Sequence, residues 1–146
     1  MPARGRRTAR GNLQEEPIMA WNYDALHKAP HSYFDAVDAK DVEAIVAHFA
    51  DDATLTIQTA NITHNGKDEI RRMFTDFTEG SVFIKHEMRN VVVEVDKGKV
   101  ATEQGYMGEL LDGTKNDMHN CNFFDFNEAG EFQRVIIWMA GTSPLV

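Results

Sequence analysis

The stretch Val82-Phe83-Ile84-Lys85-His86-Glu87-Met88-Arg89-Asn90 alternates with the two-residue period of a strand that buries one face. Lys85, Glu87 and Arg89 fall on one side, and Ile84, His86, Met88 and Asn90 on the other. The charged side must face water. His86 therefore points at the core, where an imidazole needs a hydrogen-bond partner. The run continues through Val91, Val92 and Val93, apolar on both faces, and Asp96-Lys97-Gly98-Lys99 closes it with a turn.

A chain of 146 residues makes one domain that can bury its core without staples. Its 42% hydrophobic and 26% charged content are those of an ordinary soluble protein. The single cysteine, Cys121, excludes an internal disulfide framework and fits a reducing, cytoplasmic setting. Net charge is −8. Residues 1–18 carry four arginines against two glutamates, +2, so the remainder carries −10. An acidic body argues against a nucleic-acid surface, since phosphate binding needs clustered cations. No apolar run approaches the roughly 18 residues of a membrane span. Residues 1–18 lack the apolar core of a secretory signal and read as a disordered extension, with the domain at 19–146.

Residues 22–40 read as a helix, with Leu26, Ala29, Tyr33, Phe34 and Val37 at spacings of three and four; Pro30 must sit near its first turn or kink it. Asp38 lies on the flank of that stripe at the helix end. Asp41 caps a short second helix, with Val42, Ile45, Val46 and Phe49 on one face. Asp51-Asp52 reads as a turn and Ala53–Thr59 as a strand. Lys67–Phe77 gives a third helix burying Ile70, Met73, Phe74 and Phe77, after a break at Asn65-Gly66. Strands then follow at Lys99–Leu111, Met118–Asn127 and Phe132–Gly141, with turns at Asp112-Gly113 and Glu128-Ala129-Gly130. The pattern is α+β: a cone-shaped, curved antiparallel sheet with three N-terminal helices on its concave face. The last strand is apolar on both faces, so the face of Ile136 and Trp138 needs another cover. A second copy of the sheet is the cheapest, which predicts a homodimer through the outer face.

This layout resembles the nuclear-transport-factor-2-like superfamily, which includes the SnoaL-like cyclases, ketosteroid isomerase, scytalone dehydratase and lindane dehydrochlorinase. The resemblance covers about residues 22–141. Its carriers are Ala36-Val37-Asp38-Ala39-Lys40-Asp41 leading to His48-Phe49-Ala50-Asp51-Asp52-Ala53, then Asn65-Gly66-Lys67-Asp68-Glu69-Ile70, His86-Glu87-Met88-Arg89-Asn90 and Phe124-Asp125-Phe126-Asn127-Glu128-Ala129-Gly130. In the dehydratase and dehydrochlorinase branches an aspartate closing the first helix orients a strand histidine that acts as base. Asp38 and His86 stand at the matching positions, with Asn90 four residues after His86 as in the dehydrochlorinase. The isomerase's oxyanion-binding acid matches Asn122. Other positions depart: the dehydrochlorinase's helix lysine matches Tyr33 and its final-strand arginine Ile137, and the dehydratase's second strand histidine matches Leu110. The resemblance specifies the fold more closely than the reaction.

A carboxylate on one imidazole nitrogen fixes the tautomer and leaves the other free to take a proton. That arrangement, without a nucleophile, suits proton abstraction beside an electron-withdrawing group or elimination of water. The competing readings are a structural histidine held by backbone or water, and a carboxylate in a turn. Asn122 shares strand parity with Asn120, Phe124 and Phe126; it either donates to a substrate oxygen or bonds a neighbouring strand. Gln104 and Tyr106 share a face, Tyr106 as a donor or simply as wall. Gly108 on that face leaves space for a ligand or a bulge. Tyr33, Phe34, Phe74, Met88, Phe124, Ile137 and Met139 would make the remaining wall apolar, as core or as the lining of a hollow cone.

No metal or cofactor is expected. His27 and His31 stand four apart without a third ligand, and no phosphate loop or nucleophile elbow is present. The expectation is a cofactor-free lyase or isomerase (dehydratase, isomerase or cyclase) acting on a small hydrophobic oxygenated molecule. His86 is its base, Asp38 the orienter, and Asn122 and Tyr106 the oxygen-binding donors. The alternatives are a non-catalytic binding or dimerisation module and a cofactor-free epoxide hydrolase.

Overall fold

The computed structural model describes residues 21–145; the predicted extension at 1–18 lies outside them. Helix α1 (Tyr23–Asp38) begins at Asn22, whose side chain accepts the Ala25 N–H, and buries Leu26, Pro30, Tyr33, Phe34 and Val37. Pro30 sits inside the helix, not in its first turn, so the Leu26 carbonyl lacks its usual partner.

The way α1 ends fixes where Asp38 stands. Lys40 adopts a left-handed φ of 58°. The Lys40 N–H bonds the Val37 carbonyl and the Asp41 N–H reaches back to Ala36, a Schellman stop normally built on glycine. The lysine has a compensating tie: its Nζ donates to the Ser81 carbonyl and, at 3.1 Å, to the Val82 carbonyl. The helix end is thereby fastened to the start of the strand that carries His86.

Asp41 caps helix α2 (Val42–Val46) through the Ala44 N–H. Strand β1 (Phe49–Ile57) follows directly. Asp51 and Asp52 lie within it as an exposed irregularity between Phe49 and Thr54, not as a turn. A short strand the sequence did not suggest, β2 (Ile62–Asn65), pairs with β1. Helix α3 (Gly66–Glu79) then buries Ile70, Met73, Phe74 and Phe77, as its periodicity predicts. Strands β3 (Ser81–Glu94), β4 (Lys99–Leu110), β5 (Lys115–Phe126) and β6 (Phe132–Trp138) complete one curved, unclosed sheet in the order β2-β1-β6-β5-β4-β3.

The expected α+β class holds, with one refinement to the antiparallel sheet. Strand β1 runs parallel to β6, and the other pairs are antiparallel. The chain reaches β6 only after crossing the whole sheet, so the first and last long strands meet in the same direction.

Tyr33 is the centre of the core. Its ring meets those of Phe34, Phe49, Phe74, Phe124 and Phe132 at centroid distances of 4.9–6.1 Å. Each such contact adds about 0.5–1.5 kcal/mol beyond the area it buries. This cluster packs between the helices and the sheet, and Tyr33, Phe34 and Phe74 of it also border the cavity beside His86. The outer face stays open: Val92, Phe123 and Trp138 are 65%, 45% and 49% exposed. No described helix is long and apolar enough to cross a membrane.

Candidate active site

His86 is presented by β3 and Asp38 by the last turn of α1. The carboxylate grips the histidine twice: Oδ2 accepts the backbone N–H of His86 at 2.8 Å, and Oδ1 meets ring Nδ1 at 2.6 Å. A carboxylate only accepts, so Nδ1 carries the proton in the neutral ring and Nε2 is the lone-pair nitrogen. The two side chains are 11% and 26% exposed, shielded yet not sealed. The imidazole lies between Phe34 and Tyr106, with centroids at 4.7 and 5.3 Å.

The ring borders a small cavity of about 30 Å³ that is continuous with open solvent, so a guest larger than water must widen it on entry. Of the predicted site residues, Tyr33, Phe34, Phe74, Gln104, Ile137 and Met139 line it together with His86, Tyr106 and Asn122. Asp38 stands behind His86. Two predicted wall residues do not line this cavity: Phe124 is fully buried in the aromatic core, and Met88 packs at the core's edge. Val37, Phe77, Asn120, Pro144 and Leu145 also contribute to the wall. Val37 and Phe77 lie on the predicted helix stripes, and Asn120 shares the parity of Asn122. Pro144 and Leu145 follow the last strand and carry no periodic signal at all.

Polar groups in the cavity are held in a definite order. Thr102 Oγ1 donates to Gln104 Oε1 at 2.7 Å, and Gln104 Nε2 donates to Asn122 Oδ1 at 3.0 Å. All three side chains are buried, and each bond spares a polar group the cost of desolvation without a partner. Asn122 thus has its oxygen occupied and its Nδ2 without a partner among the described residues. Tyr106 is buried with its hydroxyl beside Asn116, and neither that hydroxyl nor Asn116 Nδ2 has a hydrogen bond of good geometry among the described residues. Burial pushes the Tyr106 phenol above its ordinary 10.0, a rise the Asn116 side chain opposes. Burial also raises Tyr33 strongly.

Two expectations are corrected by the register. Strand β3 bulges between Met88 and Asn90, which turns Asn90 to the outer face; there it donates to Glu103 Oε1 at 2.5 Å. Asn90 therefore takes no part in the cavity. The space expected over Gly108 is already occupied, because the Tyr106 hydroxyl lies where a Cβ would stand. Among the described residues no group of three His, Cys, Asp or Glu gathers to hold a metal ion.

A curved sheet roofed by helices over a polar-tipped cavity defines the small-molecule cone fold. The chain belongs to the SnoaL-like domain family, whose pattern it matches over residues 31–135. No curated protein matches its sequence. Among solved structures it is similar to BvnE pinacolase from Penicillium brevicompactum, at 16% identity and a TM-score of 0.72 over 81% of this chain and 84% of that one. It is similar to SalBIII, an epoxide hydrolase/cyclase-like enzyme in pyran ring formation in the polyether salinomycin, at 17% identity and 0.73 over 82% and 93%. A third is a protein from Novosphingobium aromaticivorans assigned as an aromatic ring hydroxylase, at 22% identity and 0.72 over 81% and 88%. At these identities the likeness is one of fold.

Proposed function

We propose that the protein is a lyase or isomerase, needing no cofactor, that acts on a hydrophobic, oxygenated small molecule by proton abstraction next to a carbonyl group. The observation that carries this reading is the double grip of Asp38 on His86 at the edge of an apolar cavity. His86 Nε2 takes the C–H proton, and the electron pair moves onto the carbonyl oxygen as an enolate. Asp38 stabilises the imidazolium that results. Asn122 Nδ2 supplies a hydrogen bond to the enolate oxygen, and the Tyr106 hydroxyl adds a second once its ring turns away from Gly108. The proton then returns to another carbon, giving an isomer, or leaves with a β-hydroxyl as water, giving a dehydrated product.

Epoxide hydrolysis through Asp38 is disfavoured, because each carboxylate oxygen already holds a donor of His86 and the acid stands behind that ring, not in the cavity lining. Among the described residues no Lys or Arg lines the cavity. Two copies joined through the outer face, in a reducing cytoplasmic setting, complete the reading; the exposed Val92, Phe123 and Trp138 and the lone thiol support it.

Deuterium incorporation from D2O tests the chemistry without knowledge of the product. Uncharged ketones such as 1-indanone should gain deuterium at the α-carbon faster with the protein than with buffer. The gain should vanish in His86→Ala and in Asp38→Asn. Exchange that persists in either variant refutes the assignment, and tight ketone binding without exchange would favour a non-catalytic binding module.

A further inference from the structure

Asn120 has no role in the proton abstraction, yet it is 5% exposed and lines the same cavity. Its Oδ1 accepts the backbone N–H of Ala140 at 3.1 Å. A backbone N–H can only donate, so the amide is oriented without ambiguity: oxygen toward Ala140, Nδ2 toward the cavity. That Nδ2 has no partner among the described residues. Asn120 precedes Asn122 by two residues on β5, so both amides rise from one face of the strand about 7 Å apart at the backbone. Ala140 opens the segment that carries Pro144 and Leu145 into the cavity wall. Within that segment the Leu145 N–H bonds Ser143 Oγ at 3.0 Å.

We infer that Asn120 is a second oxygen-binding donor whose other end holds the C-terminal wall in place. The cavity then presents two outward amide donors, Asn120 Nδ2 and Asn122 Nδ2, beside the lone-pair nitrogen of His86, while the Tyr106 hydroxyl is sealed over Gly108. Among the described residues no Asp, Glu, Lys or Arg lines the cavity to balance an ionised ligand. The group it recognises is an uncharged, acceptor-rich carbonyl compound rather than an amine or a carboxylate. The inference rests on the proposed function for the identity of the cavity as the substrate site. It concerns binding, so it is separable from the base.

The test uses 1-indanone and its oxygen-free analogue indane as probes. In ¹⁵N-labelled protein the Asn120 side-chain amide resonance should move on addition of the ketone and stay in place with indane. Asn120→Asp keeps the acceptor for Ala140 and removes the donor. It should weaken ketone binding about tenfold while leaving hydrogen exchange at the Ala140 amide slow. Asn120→Ala removes both functions, and should weaken the ketone and expose the Ala140 amide. If Asn120→Asp does not fold, Asn120→Ala alone carries the ketone comparison. Equal ketone affinity in the wild type and the variants overturns the inference. So does an equal response to indane, or no saturable ketone binding at millimolar concentration. Ketone binding with the expected Asn120 shift but without α-deuteration would remove His86 as base and leave Asn120 standing.

Discussion

Asp38 holds His86 by its main chain as well as by its ring, one carboxylate oxygen to each. The bond that orients the imidazole therefore also ties α1 to β3, and the two roles separate by substitution. Asp38→Asn keeps an oxygen for one of the two donors. It is expected to abolish proton abstraction while costing about 1–3 kcal/mol in stability. Asp38→Ala leaves both donors unpaired and should cost more. Chemical denaturation of the three proteins, with deuterium exchange on 1-indanone, checks the order.

Lys40 secures the same junction from the other side, through the carbonyls of Ser81 and Val82. Lys40→Gly relieves a left-handed backbone worth about 1–2 kcal/mol but loses both bonds, whereas Lys40→Ala loses them with no relief. Lys40→Ala should therefore be the less stable variant, by a difference visible in thermal melts. Equal melting temperatures would show that backbone strain is not what the lysine offsets.

Tyr106 is predicted to trade stability for function. Among the described residues its buried hydroxyl has only Asn116 beside it and no well-formed hydrogen bond, so Tyr106→Phe should fold as well as the wild type or gain about 1 kcal/mol while losing deuteration rate. Gly108→Ala drives a methyl into that hydroxyl and should destabilise by about 1–3 kcal/mol. The double variant should regain part of the loss, since the clashing oxygen is gone. A strictly additive double-mutant cycle would contradict the contact.

The two buried tyrosines set an alkaline limit. Burial raises the phenols of Tyr33 and Tyr106 above 10.0 in the folded state, so the folded chain holds protons that the unfolded chain releases. Stability from these groups is intact below pH 10 and falls as pH rises beyond it. Phenolate absorbance should show the Tyr33 and Tyr106 contributions emerging together with unfolding. Tyr33→Phe and Tyr106→Phe should each remove part of that late signal.

The exposed row of Val92, Phe123 and Trp138 makes self-association the expected state. Sedimentation of the wild type at micromolar concentration should give a dimer, and Phe123→Asp with Trp138→Glu a monomer. A wild-type monomer would refute it.

Much of the fold is legible in the chain because periodicity reports directly on burial. The alternation around His86 and the stripe of Leu26, Tyr33, Phe34 and Val37 place the histidine and the helix end correctly relative to the core. Asn90 is misplaced by the same reasoning because one extra residue in β3 reverses every later side chain, and nothing in Met88-Arg89-Asn90 announces a bulge. Strand β2 is only Ile62–Asn65, too short to establish a period. The Asp38–His86 bond depends on contact across 48 positions; the sequence pattern supplies each partner's face, and the resemblance supplies the pairing. Pro144 and Leu145 escape notice because their place is set by Asn120 and Ser143, not by any pattern of their own.

The segment after β6 also bears on how such a domain diversifies. Part of the chamber's lining rides on a few residues beyond that strand, attached to the sheet through single hydrogen bonds such as the one from Ala140 to Asn120. Changing the length or bulk of this tail reshapes the compartment without disturbing a strand register or the aromatic keystone at Tyr33. Selection can thus retune the shape of the compartment while the Asp38–His86 pair stays fixed.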